Sequence, residues 1–301
     1  MIHVLVTGKI SHEGLDILKE FARVTVVENP SFEELAQVIP TADAILHKIG
    51  KLPAKLLELG PKIQIIARHG VGLDDLDLPY LESKGIKLTT THDANSNAVA
   101  EFTIALMLVL KRRIMEAHHK LATTGFWQRE LLMGDELRGQ TLGLIGFGRI
   151  GTKVAEMAHV FGMKIVVYEP FKKLTHPFVS QVGLADLLLQ SDVVSVHCPL
   201  TAETKGLLDR NKLSLMKKNA VLINTARGGI VDEIAVLELV RNKVIAGAAL
   251  DTFSVEPPHY LKEQQIPDNL ILTPHIAAMT QAAQVTMAAM AAGEIKKHFG
   301  M

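Results

Sequence analysis

Three side chains of different chemistry each stand just past an apolar run in the second half of the chain. Arg227 lies in Asn224-Thr225-Ala226-Arg227-Gly228-Gly229, Glu256 in Ser254-Val255-Glu256-Pro257-Pro258, and His275 in Thr273-Pro274-His275-Ile276. An arginine offers a planar fork of donors that matches a carboxylate bidentately. A histidine titrates near neutral pH and can pass a proton to or from a carbinol oxygen. A glutamate beside it would favour the imidazolium and fix the ring's orientation. Together, next to a hydride carrier, they suit the interconversion of a 2-hydroxy acid and a 2-oxo acid. Singly, each has a plainer reading. With 13 histidines in the chain, one alone is more often structural, and a glutamate before two prolines can be a solvated loop residue.

The hydride carrier has its own signature. Gly146-Phe147-Gly148-Arg149-Ile150-Gly151 directly follows an apolar run at 141–145 and precedes residues with helical periodicity, Val154, Met157, Ala158 and Phe161. Strand, glycine turn and helix are the context a dinucleotide site needs. The first glycine permits the tight turn, the second lets a pyrophosphate approach the backbone, and the third allows close helix–strand packing. The helix N-terminus adds free N–H groups and the positive end of a dipole. Glu169 closes the next apolar run, near the ~20-residue spacing of a ribose-binding carboxylate. It would repel a 2′-phosphate and so favours NAD over NADP, a preference that Lys172 and Lys173 weaken.

These residues require strands to present them. Short β-rich runs at 2–6, 23–27, 44–47, 63–67 and 86–89 alternate with helices starting near Ser11, Ser31, Pro53 and Pro79. Ser31 with Glu34 forms a capping-box pattern. A second series runs at 141–145, 164–168, 193–197, 220–224, 245–250 and 270–272. Alternation of this kind predicts an α/β fold with parallel sheets covered on both faces. Arg227, Glu256 and His275 then fall beyond C-terminal strand ends, where open α/β sheets bind ligands. Residues 97–121, without Pro or Gly, read as one long helix between the two series. Its apolar block 102–110 is far shorter than the ~20 residues of a bilayer span and reads as a helix buried on all sides. The Ala- and Met-rich segment 279–301 reads as a helix.

The 301 residues amount to about two domains at ~150 residues each. Hydrophobic residues at 48% and charged residues at 21% are values of a soluble globular protein. Lys plus Arg equals Asp plus Glu, 32 against 32, which argues against a nucleic-acid or membrane-surface partner. A single cysteine, Cys198, excludes internal disulfides and Cys-rich metal sites and fits a cytoplasmic compartment. The N-terminus lacks the basic start of a signal peptide.

The chain resembles the D-isomer-specific 2-hydroxyacid dehydrogenase family over essentially its whole length. The resemblance rests on His69-Gly70-Val71-Gly72-Leu73-Asp74-Asp75, Asn95-Ser96-Asn97-Ala98-Val99-Ala100-Glu101, Gly146 to Gly151, His197-Cys198-Pro199-Leu200-Thr201, Asn224 to Gly229, Ala249-Leu250-Asp251, and Glu256 and His275 in context. It implies a flavodoxin-like substrate domain, residues 1–97 plus 279–301, and a Rossmann NAD domain, residues 98–278, with the active site in the cleft between them. It implies Arg227 on the substrate carboxylate and carbonyl, and His275 as general acid/base paired with Glu256. The backbone of Val71 and Gly72 would hold the substrate carboxylate. Gly146, Gly148, Arg149, Ile150 and Gly151 would meet the pyrophosphate of NAD, and Glu169 the ribose. Pro199 would line the adenine side, and Thr225, Ala226 and Asp251 the nicotinamide side. The family's usual ribose-binding Asp is Glu169 here, which loosens the cofactor choice. Such enzymes are commonly homodimers through the NAD domain, for which Trp127 is an interface anchor or, equally, an ordinary core residue.

Within the family the phosphoglycerate dehydrogenase branch looks nearest, because Asn224 to Glu233 and Gly247 to Asp251 are similar to it. Lys48 lies where that branch offers an arginine to the substrate phosphate, and Arg68 precedes the Gly-Val-Gly loop. Two cations there suit a phosphorylated or second acidic group, or are surface charge. The chain ends at Met301, so feedback through a C-terminal regulatory domain is not expected. A glyoxylate, hydroxypyruvate or other 2-oxo acid reductase is the alternative. An NAD-sensing scaffold is the rival of another class. A formate dehydrogenase is disfavoured, because that branch places Gln beside the histidine.

Overall fold

A computed structural model describes residues 1–301. The chain forms two compact units, Met1–Asn95 with Ala278–Met301, and Ser96–Ala277.

In the first unit, β1 (Ile2–Thr7), α1 (His12–Lys19), β2 (Ala22–Val27), α2 (Phe32–Val38), β3 (Ala44–His47), α3 (Ala54–Leu57), β4 (Ile65–Arg68), α4 (Leu78–Lys84) and β5 (Lys87–Thr90) alternate along the chain. The five strands are parallel in the order β2-β1-β3-β4-β5, the flavodoxin-like arrangement. β1 and β3 are buried almost throughout, which is why they read as continuous apolar runs. The Ser31–Glu34 capping box forms as the sequence predicts.

The second unit opens with α5 (Ser96–Lys111) and α6 (Ile114–Thr124). It continues through β6 (Thr141–Ile145), α7 (Arg149–Val160), β7 (Lys164–Tyr168), β8 (Val179–Gln181), α8 (Leu184–Gln190), β9 (Val193–Val196), α9 (Arg210–Leu213), β10 (Val221–Asn224), α10 (Glu233–Arg241), β11 (Gly247–Leu250) and β12 (Leu270–Leu272). All seven strands are parallel, in the order β12-β11-β10-β9-β6-β7-β8. The chain order reverses between β6 and β9, which makes that pair the switch point where such sheets bind ligands. The C-terminal helix α11 (Gln281–His298) belongs to the first unit. There Ala288, Ala291, Ala292 and Ile295 share a core with Val4, Val6 and Leu18.

The expected α/β fold with parallel sheets is the one observed. Two local expectations fail. The single helix over 97–121 is two, because Arg113 takes a left-handed backbone, φ 53°. Its guanidinium is held there by both oxygens of Glu116 at 2.9 Å and by the Leu131 carbonyl at 2.8 Å. Side-chain pairing thus overrides helix propensity at a position with no glycine or proline to announce a break. The block 102–110 is not buried on all sides, since Ala105 is exposed. The edge strand β8 is too short and too polar to register as an apolar run. No helix is long and apolar enough to cross a membrane.

Candidate active site

Because every strand of the second unit runs the same way, all its C-terminal ends open on one edge. Gly146, Glu169, Pro199, Thr225, Ala226, Arg227, Asp251, Glu256 and His275 all follow strand ends on that edge.

The glycine turn sits at the switch point, and each glycine has a separate reason. Gly146 has φ 93°, and a Cβ there would lie 2.8 Å from Cys198 N. A Cβ on Gly151 would lie 2.6 Å from the Gly146 carbonyl oxygen. A Cβ on Gly148 would meet nothing within 4 Å. The first and third glycines therefore serve packing. The second, at the N-cap of α7, opens onto space where a pyrophosphate can reach the backbone. Arg149 and Ile150 form the first turn of α7. Glu169 closes β7, and its carboxylate accepts from the Phe147 N–H and the Phe171 N–H, both at 3.2 Å. Lys172 donates to the Phe147 carbonyl at 2.9 Å. The residues that would carry a dinucleotide are thus mutually ordered, and they fit NAD.

Arg227 is shaped by Asn224. The Asn224 side chain accepts from Ala226 N–H at 3.1 Å and donates to the Arg227 carbonyl at 2.9 Å, folding the turn. Thr225 is buried, its hydroxyl 3.0 Å from that of Thr103 on α5. His275 and Glu256 pair directly, Nδ1 to Oε2, at 2.9 Å. Burial pushes the Glu256 carboxyl up, but hydrogen bonds from His275 and the Phe253 N–H, with the charges of His275 and Arg227, outweigh it. The carboxyl is held below its usual range.

His275 also has a left-handed backbone, φ 55°, and the support for it is Asp251. That side chain is fully buried. It accepts from the Thr273 hydroxyl at 2.6 Å and from the Ile276 and Ala277 N–H groups, each at 2.9 Å. The Asp251 carbonyl takes the His275 N–H at 2.8 Å. Sequence reading places Asp251 beside the nicotinamide; its carboxylate is also the clamp on the His275 loop. Asn224 carries no individual role in the sequence reading, although its position closing an apolar run before a glycine-rich turn is the signal for one.

In the first unit the strand ends carry Lys48, Arg68 and the Gly70–Gly72 loop. Lys48 Nζ donates to the Lys9 carbonyl at 2.6 Å and to Gln284 Oε1 at 3.0 Å. Arg68 donates to Asp75 at 2.9 Å and to the Lys48 carbonyl at 3.1 Å. Asp75 also meets the fully buried His47 at 3.0 Å, whose other ring nitrogen contacts Thr7. The loop is tied down by the Gly70 N–H to Thr91, 2.8 Å. Gly70 has φ 128°, and Val71 is exposed. Neither cation is a bare surface charge.

Trp127 is 72% exposed, which rules out the ordinary core residue. No residue of α6 is buried, and Leu131 and Met133 are exposed beside it in sequence.

Residues 104–277 match the family model described as "D-isomer specific 2-hydroxyacid dehydrogenase, NAD binding domain". The chain is 39% identical to the hydroxypyruvate reductase of Thermotoga maritima, over 99% of this chain and 98% of that protein. It is 38% identical to the D-3-phosphoglycerate dehydrogenase of Methanocaldococcus jannaschii, over 99% of this chain but 57% of that protein. The chain thus spans little more than half the length of that relative. Among solved structures it resembles D-lactate dehydrogenase of Aquifex aeolicus complexed with NAD and lactic acid. The TM-score is 0.87 at 31% identity, covering 99% of this chain and 95% of that one.

Proposed function

The chain belongs to the D-isomer specific 2-hydroxyacid dehydrogenase family, and from that premise we propose that it is an NAD-dependent oxidoreductase interconverting a 2-hydroxy acid and a 2-oxo acid. The observation that carries the reading is the 2.9 Å His275–Glu256 pair, on the strand edge that also bears Arg227 and the Gly146–Gly151 turn. The cofactor, when bound, supplies or takes up the hydride at C2. Arg227 holds the substrate carboxylate and the carbonyl oxygen with its forked donors. Glu256 occupies Nδ1 of His275 and leaves Nε2 for the substrate oxygen. Reduction then takes a proton from Nε2 to that oxygen, and oxidation returns it. The amides of Val71 and Gly72 supply further donors for the carboxylate.

The carboxylate of Glu169 favours NAD over NADP. The substrate we assign is 3-phosphoglycerate/3-phosphohydroxypyruvate, with Lys48 and Arg68 toward the phosphate and a role in serine synthesis; the single cysteine, Cys198, suits a cytoplasmic setting. A second reading, a hydroxypyruvate or glyoxylate reductase, is favoured by the partners those two cations already have in Asp75, Gln284 and main-chain carbonyls. Exposed Trp127 and a helix α6 without a buried residue support a homodimer through the second unit, read out by sedimentation.

The test is NADH oxidation with 3-phosphohydroxypyruvate, hydroxypyruvate, glyoxylate and pyruvate, each repeated with NADPH. Preference for the phosphorylated acid supports the first substrate, and preference for an unphosphorylated one supports the second. Binding of NADH without turnover of any acid replaces the enzyme reading with an NAD-sensing scaffold.

A further inference from the structure

The two loops that carry Arg227 and Glu256 come from different strands, β10 and β11. They meet backbone to backbone. A Cβ on Gly228 would lie 1.8 Å from the Phe253 carbonyl carbon and 2.2 Å from Ser254 N, so only glycine allows the approach. Behind this junction sits Glu233, the first residue of α10, 6% exposed. Its Oε1 accepts from the Ser254 N–H at 2.6 Å and from the Gly229 N–H at 3.3 Å. Its Oε2 accepts from the Ser254 hydroxyl at 3.1 Å. Gly229 stands two residues after Arg227, and Ser254 two residues before Glu256.

We propose that Glu233 is a positioning residue that sets Arg227 and Glu256 in mutual register, by tying both of their loops to one buried carboxylate. This rests on the reaction assigned above. Glu233 touches no reacting atom; its effect passes through the two main-chain N–H groups. A carboxylate is otherwise costly to bury, and the three hydrogen bonds are what offset that cost here. Burial pushes the Glu233 carboxyl up, against hydrogen bonds from Ser254 and Gly229 that pull it down.

The competing account is that Glu233 only stabilises the first turn of α10, as an acidic residue near a helix N-terminus does. Two variants separate the accounts because they exchange charge for reach. Glu233→Gln keeps the side-chain length and an acceptor oxygen but loses the charge. Glu233→Asp keeps the charge at the helix N-terminus but is one methylene too short to hold both N–H groups. Positioning predicts that E233D lowers kcat/KM for the 2-oxo acid about 10-fold or more, since small misplacements cost that much. E233Q should stay within about 3-fold, and both should bind NADH like the parent. In the same samples, amide hydrogen exchange at Gly229 and Ser254 should accelerate in E233D and not in E233Q. The helix account predicts the opposite order, with E233Q the worse variant. That order, or unchanged kinetics with unchanged exchange in E233D, overturns the proposal. If the parent protein turns over no 2-oxo acid, the reaction assignment fails, and exchange at the two amides still judges the coupling.

Discussion

His275 and Glu256 face each other at 2.9 Å although 19 residues separate them in the chain, and the histidine reaches that position only through a left-handed backbone. The pair predicts a division of labour. His275→Ala should lower kcat by about 10²–10⁴-fold, the usual contribution of a positioned acid/base, with NADH binding unchanged by fluorescence titration. Glu256→Gln keeps a hydrogen-bond acceptor but removes the charge that steadies the imidazolium. It should lower kcat by less than H275A does, with NADH binding again unchanged. A kcat in E256Q equal to the parent's would separate Glu256 from the work of the histidine.

Arg227→Ala should abolish most turnover through the loss of substrate binding, about 100-fold or more in kcat/KM if some 3 kcal/mol of charge-assisted hydrogen bonding goes with it. Arg227→Lys should recover only part, because an ammonium does not reproduce the fork. NADH affinity should stay within a factor of about two in both. Unchanged turnover in R227A would remove the residue from the reaction.

What can be read from the residues differs from what cannot for a physical reason. Gly146 and Gly151 are legible because backbone conformation and close packing force their type, and Gly148 because a pyrophosphate needs the open space above it. The central strands β1, β3, β9, β10 and β11 are legible because burial on both faces leaves continuous apolar runs, whereas the edge strand β8 is not. The break at Arg113 is not legible, since it depends on Glu116 and the Leu131 carbonyl, and nothing in a run of helix formers signals it. Arg227, Glu256 and His275 can be placed beyond strand ends, but not beside one another, because two loops of unknown path intervene. The clamp role of Asp251 is hidden for the same reason, since its partners lie 22 to 26 residues away in the chain.

Acid should weaken the first unit before the carboxylates titrate. Burial, with the charges of Lys48 and Arg68, pushes His69 down to about 4 from an ordinary 6.5. Burial also pushes the fully buried His47 down, against its hydrogen bond to Asp75. In each case the unfolded chain takes up the proton first as pH falls. The stability is therefore whole above about 6.5 and is lost progressively toward 4. For His69 the loss at pH 5 is about 2 kcal/mol relative to neutral pH. Urea unfolding at pH 7 and pH 5 measures it, and His69→Asn should flatten the dependence by about that amount. An identical slope in H69N would show that His69 does not carry it.

The glycine turn separates folding from cofactor binding within six residues. Gly148→Ala adds a methyl where nothing lies within 4 Å and where φ is −82°. The fold should tolerate it, with Tm changed by no more than about 2 °C. That methyl occupies the approach of the pyrophosphate, so NADH should bind about 10-fold or more weakly. Gly146→Ala forces a side chain into φ 93°, 2.8 Å from Cys198 N, and should lower stability by about 1–3 kcal/mol through backbone strain before any cofactor is added. Calorimetry and NADH titration on the two variants read both effects. If G148A bound NADH like the parent, the dinucleotide would have to approach this sheet by another path.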